Sequence, residues 1–199
     1  MPIKILWGND LNTCNNFIQE LIEKKVSKDW QEINVSNFNG EEDNQVLRAF
    51  DESLTPPFGD GSRIIILKNN PIFSVKNEVL RNKFKKIYQN IPNNTLLILQ
   101  NIKKPDSRLK STKFIQKLIK QNLVIEKSFS LPDIWDYEGQ KRFIESAAKK
   151  MNLILDNGSA ELIINSVGND SYKLLNELEK AKIYLSSIEN NNQKLILKS

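Results

Sequence analysis

The chain has 199 residues, 39% of them hydrophobic and 27% charged, and a net charge of +5. That balance is ordinary for a folded globular protein and excludes global disorder. The length admits one large domain or two small ones. There is no histidine and a single cysteine, Cys14, which excludes Ser-His-Asp and Cys-His nucleophile systems, histidine general bases, His-ligated zinc, Cys-cluster metal sites and any intrachain disulfide. Seven glycines disfavour multi-glycine cofactor loops, and the positive charge permits nucleic-acid contact without demanding it. No apolar run approaches the ~18 residues of a membrane span, and Met-Pro-Ile-Lys-Ile-Leu-Trp-Gly has no charged leader followed by an apolar core. The expected location is cytoplasmic.

In chain order, Ile3 to Trp7 is a short apolar strand running into Gly8-Asn9-Asp10, a turn whose Asp10 can cap the next helix. Phe17, Leu21, Ile22 and Val26 recur at helical spacing. Trp30 to Val35 alternates like a half-buried strand, and Val46, Leu47, Phe50 and Leu54 mark an amphipathic helix ending at Pro56-Pro57. Ile64 to Leu67 reads as a strand, and Val79, Leu80, Phe84, Ile87 and Tyr88 as a helix. Thr95 to Leu99 has no polar alternation, as expected of a strand covered on both faces. Phe114, Ile115, Leu118 and Ile119 predict a helix and Leu123-Val124-Ile125 a last strand. Repeated β-α alternation with continuous aliphatic strands predicts a parallel sheet between helices.

The pattern changes near Leu131-Pro132-Asp133. From Tyr137 on, only helical periodicity remains: Phe143, Ala147, Ala148 and Met151; Ala160, Ile163, Ile164 and Val167; Leu174, Leu175, Leu178, Ala181 and Leu185. A short apolar stub, Leu195-Ile196-Leu197, follows. Three helices predict a small helical domain. The expected domains are an α/β domain over residues 1–132 and a three-helix lid over 133–199, the layout of AAA+ modules. Layout alone does not fix function.

An ATPase of that layout carries G-x-x-x-x-G-K-[ST] after its first strand, where backbone amides, lysine and hydroxyl hold phosphate and magnesium. This chain reads Gly8-Asn9-Asp10-Leu11-Asn12-Thr13-Cys14, with no second glycine and no lysine, and an aspartate that repels phosphate. The strand ending at Leu99 is followed by Gln100-Asn101 rather than an acidic pair. The P-loop is degenerate. Where active lids often place an arginine, near the start of the last helix, the chain has Tyr172, with Asp170 as an adequate cap.

Two stretches suggest binding. Lys110, Lys113, Lys117 and Lys120, led in by Arg108, form one helical stripe that is either a solvated face or a contact for phosphates. No aromatics interleave with it, which disfavours single-strand stacking. Ser53-Leu54-Thr55-Pro56-Pro57-Phe58-Gly59-Asp60-Gly61-Ser62 is a turn-forming loop with two prolines ahead of a buried strand. Phe58 there either folds back into the core or stands out as a rigid docking anchor, which loses little entropy on binding.

With Trp7-Gly8-Asn9-Asp10, Leu54-Thr55-Pro56-Pro57-Phe58-Gly59, the run Lys104 to Lys113, Val167-Gly168-Asn169-Asp170 and Leu175 to Lys180 in hand, the chain resembles the delta subunit of the bacterial DNA polymerase III clamp loader, most of all cyanobacterial versions. The resemblance spans essentially the whole chain. It implies an AAA+-like subunit of the polymerase holoenzyme, a nucleotidyltransferase complex, with no catalysis or cofactor of its own. Such a subunit binds the ring-shaped sliding clamp (beta) and holds one interface open with an apolar wedge, here Pro57 and Phe58, flanked by Leu54, Thr55 and Pro56. The implied partners are the tau or gamma subunits, delta prime and primed DNA; from charge and spacing, Arg108, Lys110, Lys113, Lys117 and Lys120 are the candidate DNA contacts. Delta subunits usually continue into a helical collar domain, whereas this sequence stops at Ser199. A different class remains open: a degenerate P-loop-type nucleotide-binding regulator contacting nucleic acid through the lysine stripe.

Overall fold

The computed structural model describes residues 2–73, 77–168, 170–187 and 194–195. The chain divides into two compact units, Met1–Phe129 and Ser130–Ser199. In the first, five strands, β1 (Ile3–Trp7), β2 (Val35–Asn39), β3 (Arg63–Lys68), β4 (Thr95–Asn101) and β5 (Val124–Ser128), form an all-parallel sheet in the order β2-β3-β4-β1-β5. Register sets Ile5 beside Leu99, and Leu99 beside Leu67.

The strand period of two explains why the aliphatic runs are continuous. Ile65 and Leu67 of β3, Leu97 and Leu99 of β4 and Ile3 and Ile5 of β1 face one core. Ile64, Ile66, Leu96, Ile98 and Leu6 face the other. The first core is closed by α3 (Asp43–Glu52) through Val46, Ala49 and Phe50, by α4 (Glu78–Ile87) through Leu80, Phe84 and Ile87, and by α5 (Lys110–Lys120) through Ile115 and Leu118. The second is closed by α1 (Leu11–Lys25), which buries Cys14, Ile18 and Ile22.

Three local expectations differ from the structure. The segment read as a strand from Trp30 is a 3-10 turn (Lys28–Trp30) and a short helix, α2 (Gln31–Asn34), before β2 begins at Val35. Its alternation came from one helical turn in which Asn34 is buried while Ile33 is 51% exposed. Leu54 lies past the end of α3 and Val79 faces solvent, so neither belongs to a core stripe. The last strand starts at Val124, and Leu123 and Ile125 are exposed because β5 is an edge of the sheet.

The second unit holds α6 (Tyr137–Lys150), α7 (Asn157–Val167) and α8 (Ser171–Ser187) around Ile144, Ala148, Leu153, Ile163, Ile164, Val167, Leu174 and Leu178. Each helix is started by an aspartate accepting first-turn amides: Asp136 from Gly139 at 2.9 Å, Asp156 from Ser159 at 2.7 Å, and Asp170 from Tyr172 at 3.0 Å. The helical reading missed a pair of two-residue parallel strands, β6 (Ile154–Leu155) and β7 (Lys194–Leu195). They are too short to show a period. Asn169 and the stub residues Ile196 and Leu197 lie outside the described residues.

Candidate protein-docking site

The loop 53–62 lies at the amino-terminal edge of the sheet, beside the starts of β2, β3 and β4. It is tied at every stage. Ser53, fully buried, closes α3 by donating its N–H to Ala49 O at 3.0 Å and its hydroxyl to Phe50 O at 2.7 Å. Leu54 and Thr55 N–H groups bond back to Asp51 and Glu52, and the Thr55 carbonyl accepts from the Thr95 hydroxyl at 2.8 Å. Pro56 and Pro57 have no N–H to donate. Beyond them, Asn34 donates its Nδ2 to Phe58 O and accepts the Phe58 N–H on its Oδ1, both at 2.8 Å. Gly61 bridges Val26, Ser62 N–H reaches Lys25 O at 2.8 Å, and Arg63 pairs with Glu52 at 2.9 Å.

Phe58 is 56% exposed. It is therefore not a core residue. Its ring meets that of half-buried Trp30 in a T-shaped contact, centroids 4.8 Å apart and planes at 70°, an arrangement that adds about 0.5–1.5 kcal/mol beyond area burial. Gly59 has φ +65°, and a Cβ there would run into the Trp30 indole nitrogen. Only glycine suits both the backbone and the space. Leu54, Thr55 and Pro56 are exposed and Pro57 is half-buried. Trp30 and Asn34 belong to this site, and sequence reasoning missed both. Their residue types carried no signal linking them to position 58.

The opposite, carboxyl edge of the sheet is where ligands bind in open α/β folds. Gly8 has φ +138° and donates its N–H to Asn101 O at 3.1 Å, and a Cβ on it would overlap the Phe129 carbonyl oxygen. Asp10, 3% exposed, donates its N–H to that same Phe129 oxygen at 2.9 Å. Its carboxylate accepts the Thr13 N–H at 3.0 Å and caps α1. The helix end that would attract phosphate thus carries a carboxylate. Gln100 reaches Cys14 Sγ at 3.4 Å and Asn15 at 3.3 Å, and Asn101 donates to Asn70 O at 2.8 Å. Burial pushes the Cys14 thiol up to about 11. A cleft of about 240 Å³ here is lined by Leu11, Asn15, Lys68, Gln100 and Asn101. Among the described residues no group of three or more cysteine or acidic side chains could hold a metal ion.

Lys110, Lys113, Lys117 and Lys120 are exposed along α5, away from Ile115 and Leu118, and none forms an ion pair among the described residues. Arg108 stands apart from them. Its guanidinium folds onto Asp106 through Nε at 3.0 Å and Nη2 at 2.7 Å, and that pairing holds the Asp106 carboxyl down to about 2. Tyr172 is 64% exposed in the first turn of α8.

A family model described as DNA polymerase III, delta subunit, matches residues 5–127. No curated protein sequence matches the chain. Among solved structures, the DNA clamp loader delta protein of Bacillus subtilis aligns with a TM-score of 0.77 and 18% identity over 98% of this chain and 56% of that one. A gamma subunit-related protein of DNA polymerase III from Thermotoga maritima gives 0.50 and 17% over 94% and 57%. The RuvB branch migration motor of Thermotoga maritima gives 0.46 and 12% over 97% and 59%. At these identities the likeness concerns the fold alone. The chain spans somewhat more than half the length of these structures.

Proposed function

Because the chain belongs to the DNA polymerase III delta subunit family, we propose that it is a clamp-loader subunit that engages the sliding clamp through the loop carrying Phe58. The observation that carries this reading is an exposed phenylalanine on a loop whose backbone is tied at both ends. Such an anchor enters an apolar pocket with little ordering cost. Seated beside a ring interface, it favours the clamp geometry that cannot close, so the open ring is populated by differential affinity. Leu54, Thr55, Pro56 and Pro57 shape its surroundings.

Opening needs no nucleotide on this chain. A carboxylate at the start of α1 and the Phe129 main chain against Gly8 disfavour a triphosphate there. Hydrolysis then falls to tau or gamma partners assembled with delta prime, and Lys110, Lys113, Lys117 and Lys120 supply sequence-independent contact to primed DNA. The cytoplasm, where replication takes place, is the proposed location.

The test is capture of the cognate sliding clamp by the purified chain, with and without Mg-ATP. Saturable capture unaffected by nucleotide is expected. Absence of capture, or a stoichiometric Mg-ATP isotherm in calorimetry, would overturn the reading in favour of a nucleotide-binding regulator.

A further inference from the structure

The loop that presents Phe58 is held through bonds to residues outside it. Two successive prolines remove two donors, and Gly59 next to the anchor is free to adopt many conformations. Yet Phe58 has one defined backbone pose, because both of its main-chain polar groups end on a single side chain. Asn34 is 0% exposed and lies 24 residues away in sequence. Its carboxamide accepts the Phe58 N–H and donates to the Phe58 C=O, each at 2.8 Å. A planar group with one acceptor and one donor side by side matches the N–H and C=O of one residue as a neighbouring strand would. Aspartate only accepts, and leucine, of similar size, does neither.

The carboxamide is itself fully buried at the junction of two elements. Asn34 ends α2, and the next residue, Val35, opens β2 in register with Ile64. The sheet therefore dictates where the carboxamide stands, the carboxamide dictates the backbone of Phe58, and Trp30 flanks the ring that results.

We propose that Asn34 is a positioning residue for the Phe58 anchor, setting the affinity of the docking loop for its protein partner without touching that partner. This inference rests on the clamp-docking reading above. Releasing the clamp on Phe58 leaves its ring available but unoriented, so binding must order the loop first and weakens by about tenfold.

The experiment is a double-mutant cycle on the full chain, reading affinity for the cognate sliding clamp. Asn34→Asp keeps the oxygen that accepts the Phe58 N–H and sets a second oxygen against the Phe58 carbonyl. Asn34→Ala removes both bonds. Each is measured alone and with Phe58→Ala, with amide hydrogen exchange at Phe58, Ile65 and Leu97 followed in parallel. Both variants are expected to weaken binding about tenfold alone and to add nothing once Phe58 is alanine. In Asn34→Ala, the Phe58 amide should lose protection while Ile65 and Leu97 keep theirs, which separates a freed loop from a disturbed fold. Unchanged affinity in the Asn34 variants, or equal losses with and without Phe58, overturns the positioning role alone. Unchanged affinity in Phe58→Ala overturns the docking reading and this inference with it.

Discussion

Replacing Phe58 by alanine separates surface from core more sharply than any other single change. A fully buried phenylalanine is stabilising by roughly 1.5–3 kcal/mol. At 56% exposure, somewhat more than half of that remains for a partner, about 0.8–1.7 kcal/mol, or about four- to seventeenfold in affinity. The covered remainder, with the Trp30 contact, contributes about 1–3 kcal/mol to the chain's own stability. Phe58→Ala should therefore raise the dissociation constant for the clamp about four- to seventeenfold. The melting temperature should fall by about 2–10 °C. Phe58→Asp should bind more weakly still, because an unpaired carboxylate would have to enter the same apolar pocket. Calorimetric titration with the clamp and differential scanning calorimetry read the two quantities separately. A large drop in melting temperature with clamp affinity intact would refute the reasoning and place the anchor elsewhere.

Gly8→Ala forces a side chain into the Phe129 carbonyl at a φ of +138° and should cost at least about 2 kcal/mol in urea unfolding. Gly158→Ala, whose new Cβ meets nothing closer than 3.7 Å, should be neutral or slightly stabilising, and equal effects would show a looser carboxyl edge than described. Reversing Lys113 and Lys117 to glutamate should weaken DNA binding and reduce its log-log salt slope by about two; an unchanged slope would leave α5 a solvated face. Cys14 is 2% exposed with its thiol raised from 9.0 to about 11, so the fold favours the protonated form. Its contribution to stability is fully present below pH 9 and declines as pH rises from there towards 11. Thiol reagents should label Cys14 only upon unfolding, and fast labelling of the native chain at neutral pH would contradict this burial.

Local chemistry makes much of this protein legible in its sequence. Aliphatic runs such as Ile64 to Leu67 marked strands covered on both faces, since alternate residues had to feed two cores. Asp10 and Asp170, read as caps, do cap the helices that follow them. The degenerate phosphate loop was readable because each of its parts needs a particular residue at a fixed offset. Tertiary structure decided the rest. Trp30 to Val35 alternates like a strand, but residues up to Asn34 form helical turns before β2 begins at Val35, and Asn34 faces inward to meet Phe58. Arg108, grouped with the lysines by charge, is drawn to Asp106 two residues away. Whether Phe58 stood in the core or in solvent could not be read from its neighbours, since two prolines and a glycine permit both. The choice was made by one carboxamide 24 residues distant and one indole. Periodicity reports the face on which a residue lies, whereas a long-range hydrogen bond depends on where the sheet brings two loops together.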